Sequence, residues 1–160
     1  DIKPGNLWLT PENKVIVFDL GASHWEDEAQ TQAHLARTPG YAAPEQHQHI
    51  DKRILSEATD VYGLAASMYS FLSEVSPLPA PERLEERDSK KDLTTLSRVL
   101  YRSVNVDLAE IIDRGMELEQ KDRYKSMRDF RKALQNCPQL YDVKGLAYKN
   151  DLIARMFDGR

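Results

Sequence analysis

The sequence predicts a mainly α-helical domain with one short β-hairpin near its amino terminus. Two short apolar runs around a turn predict the hairpin, and later stretches whose apolar residues recur at helical spacing predict the helices. The chain has 160 residues, of which 41% are hydrophobic and 30% are charged. This length and composition are typical of a single soluble globular domain.

The hairpin is predicted at the start of the chain. Its strands are Leu7–Leu9 and residues 15–18, and the turn between them, residues 11–14, contains proline and asparagine. After the hairpin, residues 21–45 are polar, contain proline and glycine, and show no sustained period. A loop of this length inside a compact domain is usually functional or disordered.

The helices are predicted in the second half of the chain. Residues 57–74 are apolar on nearly every side, which is typical of a buried central helix. Besides the central helix, we predict helices at residues 93–102, 106–118 and 126–136. Ser126, with Asp129 three residues later, is a typical N-cap for the last of these.

Two parts of this half are harder to assign. Prolines at positions 77, 79 and 81 interrupt the helical pattern, and residues 82–92 form a charged, poorly patterned stretch for which we predict no helix. We expect one lobe over residues 1–136 and a helical tail over 137–160, where residues 146–157 are amphipathic.

Composition and charge exclude several classes of partner. The chain has 22 basic and 26 acidic residues, a net charge of −4, and no basic stripe, so we expect no nucleic-acid surface. Its longest apolar stretch, residues 61–75, is shorter than the roughly 20 residues that a membrane span needs. The lone Cys137 fits a reducing compartment. We therefore expect a cytoplasmic location, and a membrane tether outside this segment stays open. Because the chain opens on Asp1 without an initiator methionine, we expect that residues precede it.

Polar side chains suited to phosphoryl transfer stand at the two ends of the hairpin. Asp1, Lys3 and Asn6 precede the first strand, and Asp19 follows the second. A hairpin brings these ends together, so one carboxylate could accept a proton while the other and the amide hold Mg²⁺. The lysine would neutralise charge on the transferred phosphoryl group. Gly21 would give the backbone freedom that lets Asp19 turn inward.

These residues also form a recognisable series of motifs. Asp1-Ile2-Lys3-Pro4-Gly5-Asn6 resembles the catalytic loop of protein kinases, and Asp19-Leu20-Gly21 resembles their metal-binding D-F-G. Residues 38–45, T-P-G-Y-A-A-P-E, resemble the end of the activation segment. Asp60-Val61-Tyr62-Gly63 and Lys121-Asp122-Arg123-Tyr124 are similar to later landmarks of the same fold, in the same order. The sequence of the segment that begins at Thr38 most resembles that of bacterial members of the eukaryotic-like serine/threonine kinases.

The resemblance implies a fold and a set of roles. The fold would be the helical C-terminal lobe of a protein kinase, built around a buried central helix and beginning at the catalytic aspartate. Asp1 would orient and deprotonate the acceptor hydroxyl, Lys3 would contact the γ-phosphate, and Asn6 and Asp19 would ligate Mg²⁺. The implied cofactors are ATP and Mg²⁺. Lys3 together with Thr38 implies a protein substrate that presents serine or threonine.

Other residues have supporting roles in the resemblance. Glu45 and Arg123 resemble a buried ion pair that anchors the activation segment, and Asp60 would hold the backbone of the catalytic loop. Trp8 stands where the family often has an aliphatic residue under the adenine ring. It could stack on the base, partly fill the pocket, or pack in the core.

The activation segment departs from the family pattern. His34 stands where many relatives carry a phosphorylated threonine, and Arg37 stands where a glycine is common, so activation by phosphorylation is not predicted at that position. Ser23 and Thr31 are the candidate phosphorylation sites instead. A phosphate there would add about −1.5 to −2 charges and could order the loop against Arg37.

The 160 residues contain no glycine-rich loop, no strand lysine with a helical glutamate partner, and no His-Arg before Asp1. The N-terminal lobe would therefore be a required partner, and we expect the chain alone to be inactive. A pseudokinase or docking module is the alternative, but all four site residues are present. A small-molecule phosphotransferase is disfavoured by the activation-segment motif ending in Glu45. A metal site at His47 and His49 is less favoured than a solvated loop.

Overall fold

The computed structural model describes residues 1–12, 14–19, 38–47, 55–88 and 106–137. Within these ranges the fold is mainly α-helical with one two-stranded antiparallel sheet, which confirms the predicted class. Short 3-10 turns occur at Pro4–Asn6 and Gln120–Asp122. The regular elements are β1 (Leu7–Leu9), β2 (Val15–Val17), α1 (Pro44–His47), α2 (Glu57–Ser73), α3 (Ala80–Asp88), α4 (Val106–Gly115) and α5 (Met127–Gln135).

The predicted hairpin is confirmed. Trp8 on β1 lies opposite Ile16 on β2, and the second strand ends at Val17, one residue earlier than predicted. Beyond the paired strands, the backbone N–H of Phe18 donates a hydrogen bond to the carbonyl of Asn6 at 3.0 Å. This bond keeps the two open ends of the hairpin side by side, which is where the candidate side chains lie.

The predicted central helix is also confirmed as α2. Ser56 caps it by accepting a hydrogen bond from the backbone of Ala58, and Thr59 reaches back to the Ser56 N–H. The helix ends at Glu74, which adopts a left-handed conformation with φ 64°. Helices α4 and α5 pack against it, and its fully buried side chains form the centre of the core. The fully buried side chains of α2 include Val61, Tyr62, Ala65, Ala66 and Met68.

The last two described helices follow the predicted pattern. Helix α4 ends at Gly115, earlier than the predicted end at residue 118, and buries Leu108 and Ile112. Ser126 caps α5, since its hydroxyl accepts from the backbone N–H of Asp129 at 3.1 Å. The N-cap prediction is therefore confirmed.

Helix α3 corrects the prediction for residues 77–92. Pro81 lies in its first turn, where the missing N–H of proline costs no intrahelical hydrogen bond. Two residues of α3 are buried: Ala80 is 0% exposed and Arg83 is only 4% exposed. Because the buried Arg83 is itself charged, the sequence of this stretch shows no clear apolar face, and the helix was not predicted. The helices predicted at 93–102 and 146–157 lie outside the described residues, as does the tail beyond Cys137.

The chain start lies directly on the central helix. A Cβ placed on Gly63 of α2 would be 2.8 Å from the carbonyl oxygen of Ile2, which is closer than such atoms approach in proteins. The glycine therefore permits the close approach of the first residues to α2. Among the helices of the described residues, none has the length and apolar character to cross a lipid bilayer.

Candidate active site

The loop of residues 1–6, here called the 1–6 loop, gathers three of the predicted side chains. The Lys3 ammonium donates to Asp1 Oδ2 at 2.6 Å. The Asn6 amide nitrogen donates to the carbonyl of Asp1 at 2.9 Å. A 3-10 turn over Pro4–Asn6, with proline at its start, folds the loop back on itself and makes these contacts possible.

Thr38 joins this group from a distant part of the chain. Its hydroxyl accepts a hydrogen bond from Lys3 Nζ at 3.0 Å and lies 3.4 Å from Asp1 Oδ1, to which it donates. Thr38 begins the segment of residues 38–47, here called the 38–47 segment. The structure therefore brings this segment into direct contact with the carboxylate and ammonium of the 1–6 loop.

Asn6 and Asp19 have the chemistry of a magnesium site. Asn6 is 4% exposed and its amide nitrogen is engaged with the Asp1 carbonyl, which leaves the amide oxygen as its ligand atom. The Phe18–Asn6 backbone bond brings Asp19, the next residue, to the same edge. Asp19 is exposed and has φ 58°, a conformation that Asp tolerates better than most residues. Since Mg²⁺ prefers carboxylate and amide oxygens, this pair of donors fits it.

Several predicted site residues cannot be placed. Gly21 and the candidate phosphorylation sites Ser23 and Thr31 lie outside the described residues, as does His49. His47 belongs to α1.

Glu45 and Arg123 form a buried ion pair that holds the 38–47 segment against the helices. Arg123 Nη1 and Nη2 donate to the two carboxylate oxygens of Glu45 at 2.7 and 2.8 Å. Their side chains are 0% and 7% exposed, respectively. The Thr59 hydroxyl donates to the same carboxylate at 2.9 Å. The two-point geometry of arginine with a carboxylate fixes orientation as well as distance.

The pKa of Glu45 lies below its ordinary value of 4.5. Burial raises the pKa, but the hydrogen bond and positive charge of Arg123 lower it, helped by the Thr59 hydroxyl and a backbone hydrogen bond. The lowering contributions together exceed the effect of burial. Glu45 is therefore ionised at neutral pH, as an ion pair requires.

Asp60 stands in the first turn of α2, below the 1–6 loop. Asp60 is exposed, but its pKa is raised from the ordinary value of 3.8, mainly because the protein removes part of its hydration, and repulsion by Glu57 adds to this. Gly63, one turn later on α2, lies against the carbonyl of Ile2, which places Asp60 near the start of the 1–6 loop. Its role in holding that backbone stays a prediction.

Trp8 lies on the open surface of the hairpin. Its side chain is 61% exposed, and Ile16, which lies opposite on β2, is 50% exposed. Trp8 is therefore not part of the core formed by the described residues. Its ring is free to contact a ligand or a second layer of protein.

Two residues of the 38–47 segment were not identified from the sequence as anchors. The Tyr41 hydroxyl lies 2.9 Å from the Ser70 hydroxyl and 3.1 Å from that of Ser76. Gly40 has φ 87°, and a Cβ there would lie 2.5 Å from the carbonyl oxygen of Pro77. The glycine in the T-P-G-Y motif could have indicated this close contact in the sequence, because only glycine adopts this backbone conformation without strain.

The protein kinase domain family matches residues 1–137 of the chain. Among curated proteins, serine/threonine-protein kinase PknD of Chlamydia trachomatis serovar D is 26% identical over 161 residues, covering 84% of this chain and 17% of PknD. Tyrosine-protein kinase MasK of Myxococcus xanthus is 29% identical over 149 residues, covering 84% of this chain and 21% of MasK. The chain thus spans only a small part of the length of these relatives.

A solved structure, described as the apo form of PpkA-294, has a similar fold. The TM-score is 0.63 at 21% identity, and the match covers 84% of this chain and 45% of that one. The family match, the bacterial serine/threonine kinase relatives and the helical fold agree with one another. The chain belongs to the protein kinase domain family, and its fold is that of the C-terminal lobe.

Proposed function

We propose that this chain supplies the catalytic and substrate-binding half of an ATP-dependent protein kinase that phosphorylates serine and threonine hydroxyls. The observation that carries the proposal is the contact of one ammonium, Lys3 Nζ, with both the Asp1 carboxylate and the Thr38 hydroxyl. A carboxylate, a cation and a hydroxyl from two distant segments thereby meet at the edge where Asn6 and Asp19 stand.

Asp1 is the proton acceptor in this proposal. Lys3 occupies its Oδ2, whereas Oδ1 has only the long contact with the Thr38 hydroxyl at 3.4 Å. Oδ1 can therefore receive a hydrogen bond from an acceptor hydroxyl and take its proton as that hydroxyl oxygen bonds to the γ-phosphorus of ATP and the bond from the γ-phosphorus to the ADP oxygen breaks. Lys3 lies beside Asp1, where its ammonium would neutralise the negative charge of the transferred phosphoryl group.

Asn6 and Asp19 are the residues that would hold Mg²⁺. The metal would supply positive charge that offsets the negative charge of the ATP phosphates during transfer. Trp8, with its exposed ring, would contact the adenine base from the hairpin. The N-terminal lobe of the same domain would close the nucleotide site from the other side.

Further roles in the proposal concern the surroundings of the site. Asp60 holds the backbone of the 1–6 loop, and Gly21 lets Asp19 turn toward the metal. Ser23 and Thr31 are acceptors for regulatory phosphate. The protein acts in the cytoplasm, where ATP and protein substrates are available.

The preference for serine and threonine over tyrosine is the part of the proposal that the relatives leave most open, since one of them is named a tyrosine kinase. Lys3 and Thr38 crowd the Asp1 carboxylate, which favours a short acceptor side chain. Peptides that differ only in Ser, Thr or Tyr at one position would test this. Faster phosphorylation of the tyrosine peptide would contradict the preference.

The main test uses a protein that carries this chain together with its nucleotide-binding lobe. Asp1→Asn and Asp19→Asn should each lower phosphorylation of a protein substrate with Mg·ATP by about 10²–10⁴-fold, the contribution typical of a positioned acid–base group or metal site. Asp122→Asn, an exposed aspartate outside the site, is the matched control and should retain activity. Equal phosphorylation by the unmodified protein and both site variants would contradict the proposed function.

The 160-residue chain alone should show no measurable kinase activity. Its sequence contains no glycine-rich loop or strand lysine to clamp the α- and β-phosphates. Robust ATP-dependent phosphorylation by this chain, after removal of contaminating kinases, would contradict this expectation.

A further inference from the structure

A second buried arginine, Arg83 on α3, is not used by the site as described so far. It is 4% exposed, and its Nη1 donates to the Tyr62 hydroxyl at 3.1 Å and to the carbonyl of Met116 at 2.8 Å. Burial of a guanidinium is costly unless its donors are satisfied. These two bonds therefore give Arg83 a defined position between α3, α2 and the end of α4.

Tyr62 connects Arg83 to the ion pair. Its side chain is fully buried, and the guanidinium carbon of Arg123 lies 5.0 Å from the centre of its ring. One arginine therefore holds the tyrosine by its hydroxyl, and the other lies over its aromatic face. A cation over an aromatic face is attracted to it, more strongly when both are shielded from water. The orientation of the Tyr62 ring is thus shared by both arginines.

The two arginines also share a backbone support just beyond α4. Arg83 holds the carbonyl of Met116, and Arg123 holds those of Glu117 at 2.6 Å and Leu118 at 3.1 Å. Carbonyls at a helix C-terminus lack intrahelical partners and carry partial negative charge. Three successive carbonyls are therefore fixed by two cations, and a shift of one arginine moves the support of the other.

We propose that Arg83 is a positioning residue for phosphoryl transfer, because it fixes Tyr62 and the loop after α4 and so keeps Arg123 oriented toward Glu45. The proposal rests on the proposed function. Glu45 lies in the 38–47 segment, whose first residue, Thr38, contacts both Asp1 and Lys3. A continuous series of contacts therefore leads from α3 to the reacting groups.

The first test measures this coupling through activity, in the protein that includes the nucleotide-binding lobe. Arg83→Met should lower kcat/KM for a protein substrate about tenfold, the effect of losing hydrogen bonds to a charged donor, while KM for Mg·ATP stays unchanged. Tyr62→Phe keeps the ring and removes only the hydroxyl, so it should lower kcat/KM for the protein substrate less, about threefold.

The decisive comparison is a double-variant cycle. In a Glu45→Gln background, Arg83→Met should have almost no further effect, because the pair that Arg83 positions is already lost. Leu134→Ala is the matched control, since it removes a fully buried side chain on α5 that makes none of these contacts. Its effect should be the same in both backgrounds. Independent, additive effects of Arg83→Met and Glu45→Gln would overturn the proposal.

A second measurement does not depend on kinase activity. In the 160-residue chain, Arg83→Met should accelerate amide hydrogen exchange in residues 39–47 and leave residues 127–135 on α5 unchanged. Unchanged exchange in residues 39–47 would overturn the positioning role. The expected exchange pattern combined with an unmodified protein that phosphorylates nothing would instead overturn the proposed function, and with it the role of Arg83 in a reaction.

Discussion

The molecule contains two carboxylate–cation pairs of similar length, one part-buried at the site edge and one fully enclosed in the protein interior. Asp1 and Lys3 meet at 2.6 Å with side chains that are 13% and 23% exposed, whereas Glu45 and Arg123 meet at 2.7 Å with side chains that are 7% and 0% exposed. The buried pair satisfies its remaining donors with backbone carbonyls. The pair at the site edge keeps Asp1 Oδ1 nearly free.

The difference in burial indicates that one carboxylate–cation pair stabilises the fold, whereas the other is available for the reaction. A buried pair with every donor engaged cannot exchange partners without leaving a charge uncompensated in the protein interior. The part-buried pair at the site edge loses less when it opens, so its carboxylate and ammonium can turn to a substrate. The predictions below test that separation, beginning with the largest expected effect.

Arg123→Met should reduce the free energy of unfolding by about 3–5 kcal/mol, because it leaves the Glu45 carboxylate buried without its partner. Lys3→Met is the matched change in the other pair and should cost less than about 1 kcal/mol. Urea unfolding of the two variants, followed by far-UV circular dichroism, measures both. Similar losses would mean that the two pairs do not differ in the way proposed.

Substitution of a glycine should cost more stability in the 38–47 segment, which the buried pair anchors, than in the 1–6 loop. Gly40→Ala places a Cβ against the Pro77 carbonyl at φ 87°, and we expect a loss of about 1–3 kcal/mol for the strained backbone. Gly5→Ala, in the 1–6 loop, meets no atom within 4 Å and should change stability by less than about 0.5 kcal/mol. Thermal unfolding of both variants is sufficient, and an equally large loss for Gly5→Ala would remove the contrast.

Acid should weaken the buried pair selectively. The pKa of Glu45 is below 4.5 in the fold, so the unfolded chain binds the proton more readily. The contribution of the pair is complete above about pH 4.5 and is lost as the pH falls through the lower, folded value. Urea titrations across this range should show a shallower pH dependence for Glu45→Gln. Identical slopes for the two proteins would contradict the assignment.

Asp60→Asn should have the smallest effect on stability, with the opposite sign. Its pKa is raised above 3.8, so the ionised form is disfavoured in the fold, and the penalty develops as the pH rises through 3.8 and the folded value. At neutral pH the variant should be as stable as the unmodified chain or slightly more stable, although it loses the proposed hold on the 1–6 loop. A clear loss of stability at neutral pH would contradict this expectation and show that the contacts of Asp60 outweigh the penalty on its charge.

Local patterns in the sequence predicted most of the secondary structure. Two short apolar runs around a proline-containing turn predicted the hairpin, and apolar residues on nearly every side of residues 57–74 predicted the central helix. Ser126 was identified as a cap because the N-cap bond is made within three residues. All three depend on interactions between near neighbours along the chain.

The parts that could not be predicted depend on partners far away in the sequence. Helix α3 was missed because Arg83 is buried only where α2 supplies a tyrosine hydroxyl and the end of α4 supplies a carbonyl. The contact between Thr38 and Lys3 was not predicted, since no local pattern relates residues 35 positions apart. The exposure of Trp8 likewise depends on which surfaces the rest of the fold covers.

The close approach of Gly63 to Ile2 has a consequence for protein engineering. The separation between α2 and the 1–6 loop leaves room for a hydrogen atom at position 63 but not for a methyl group. Any larger residue there would lift Ile2, and Asp1 beside it, away from the helix by a fraction of the length of a C–C bond. A designer who transplants this loop onto another scaffold should therefore copy the underlying glycine together with the six residues of the loop.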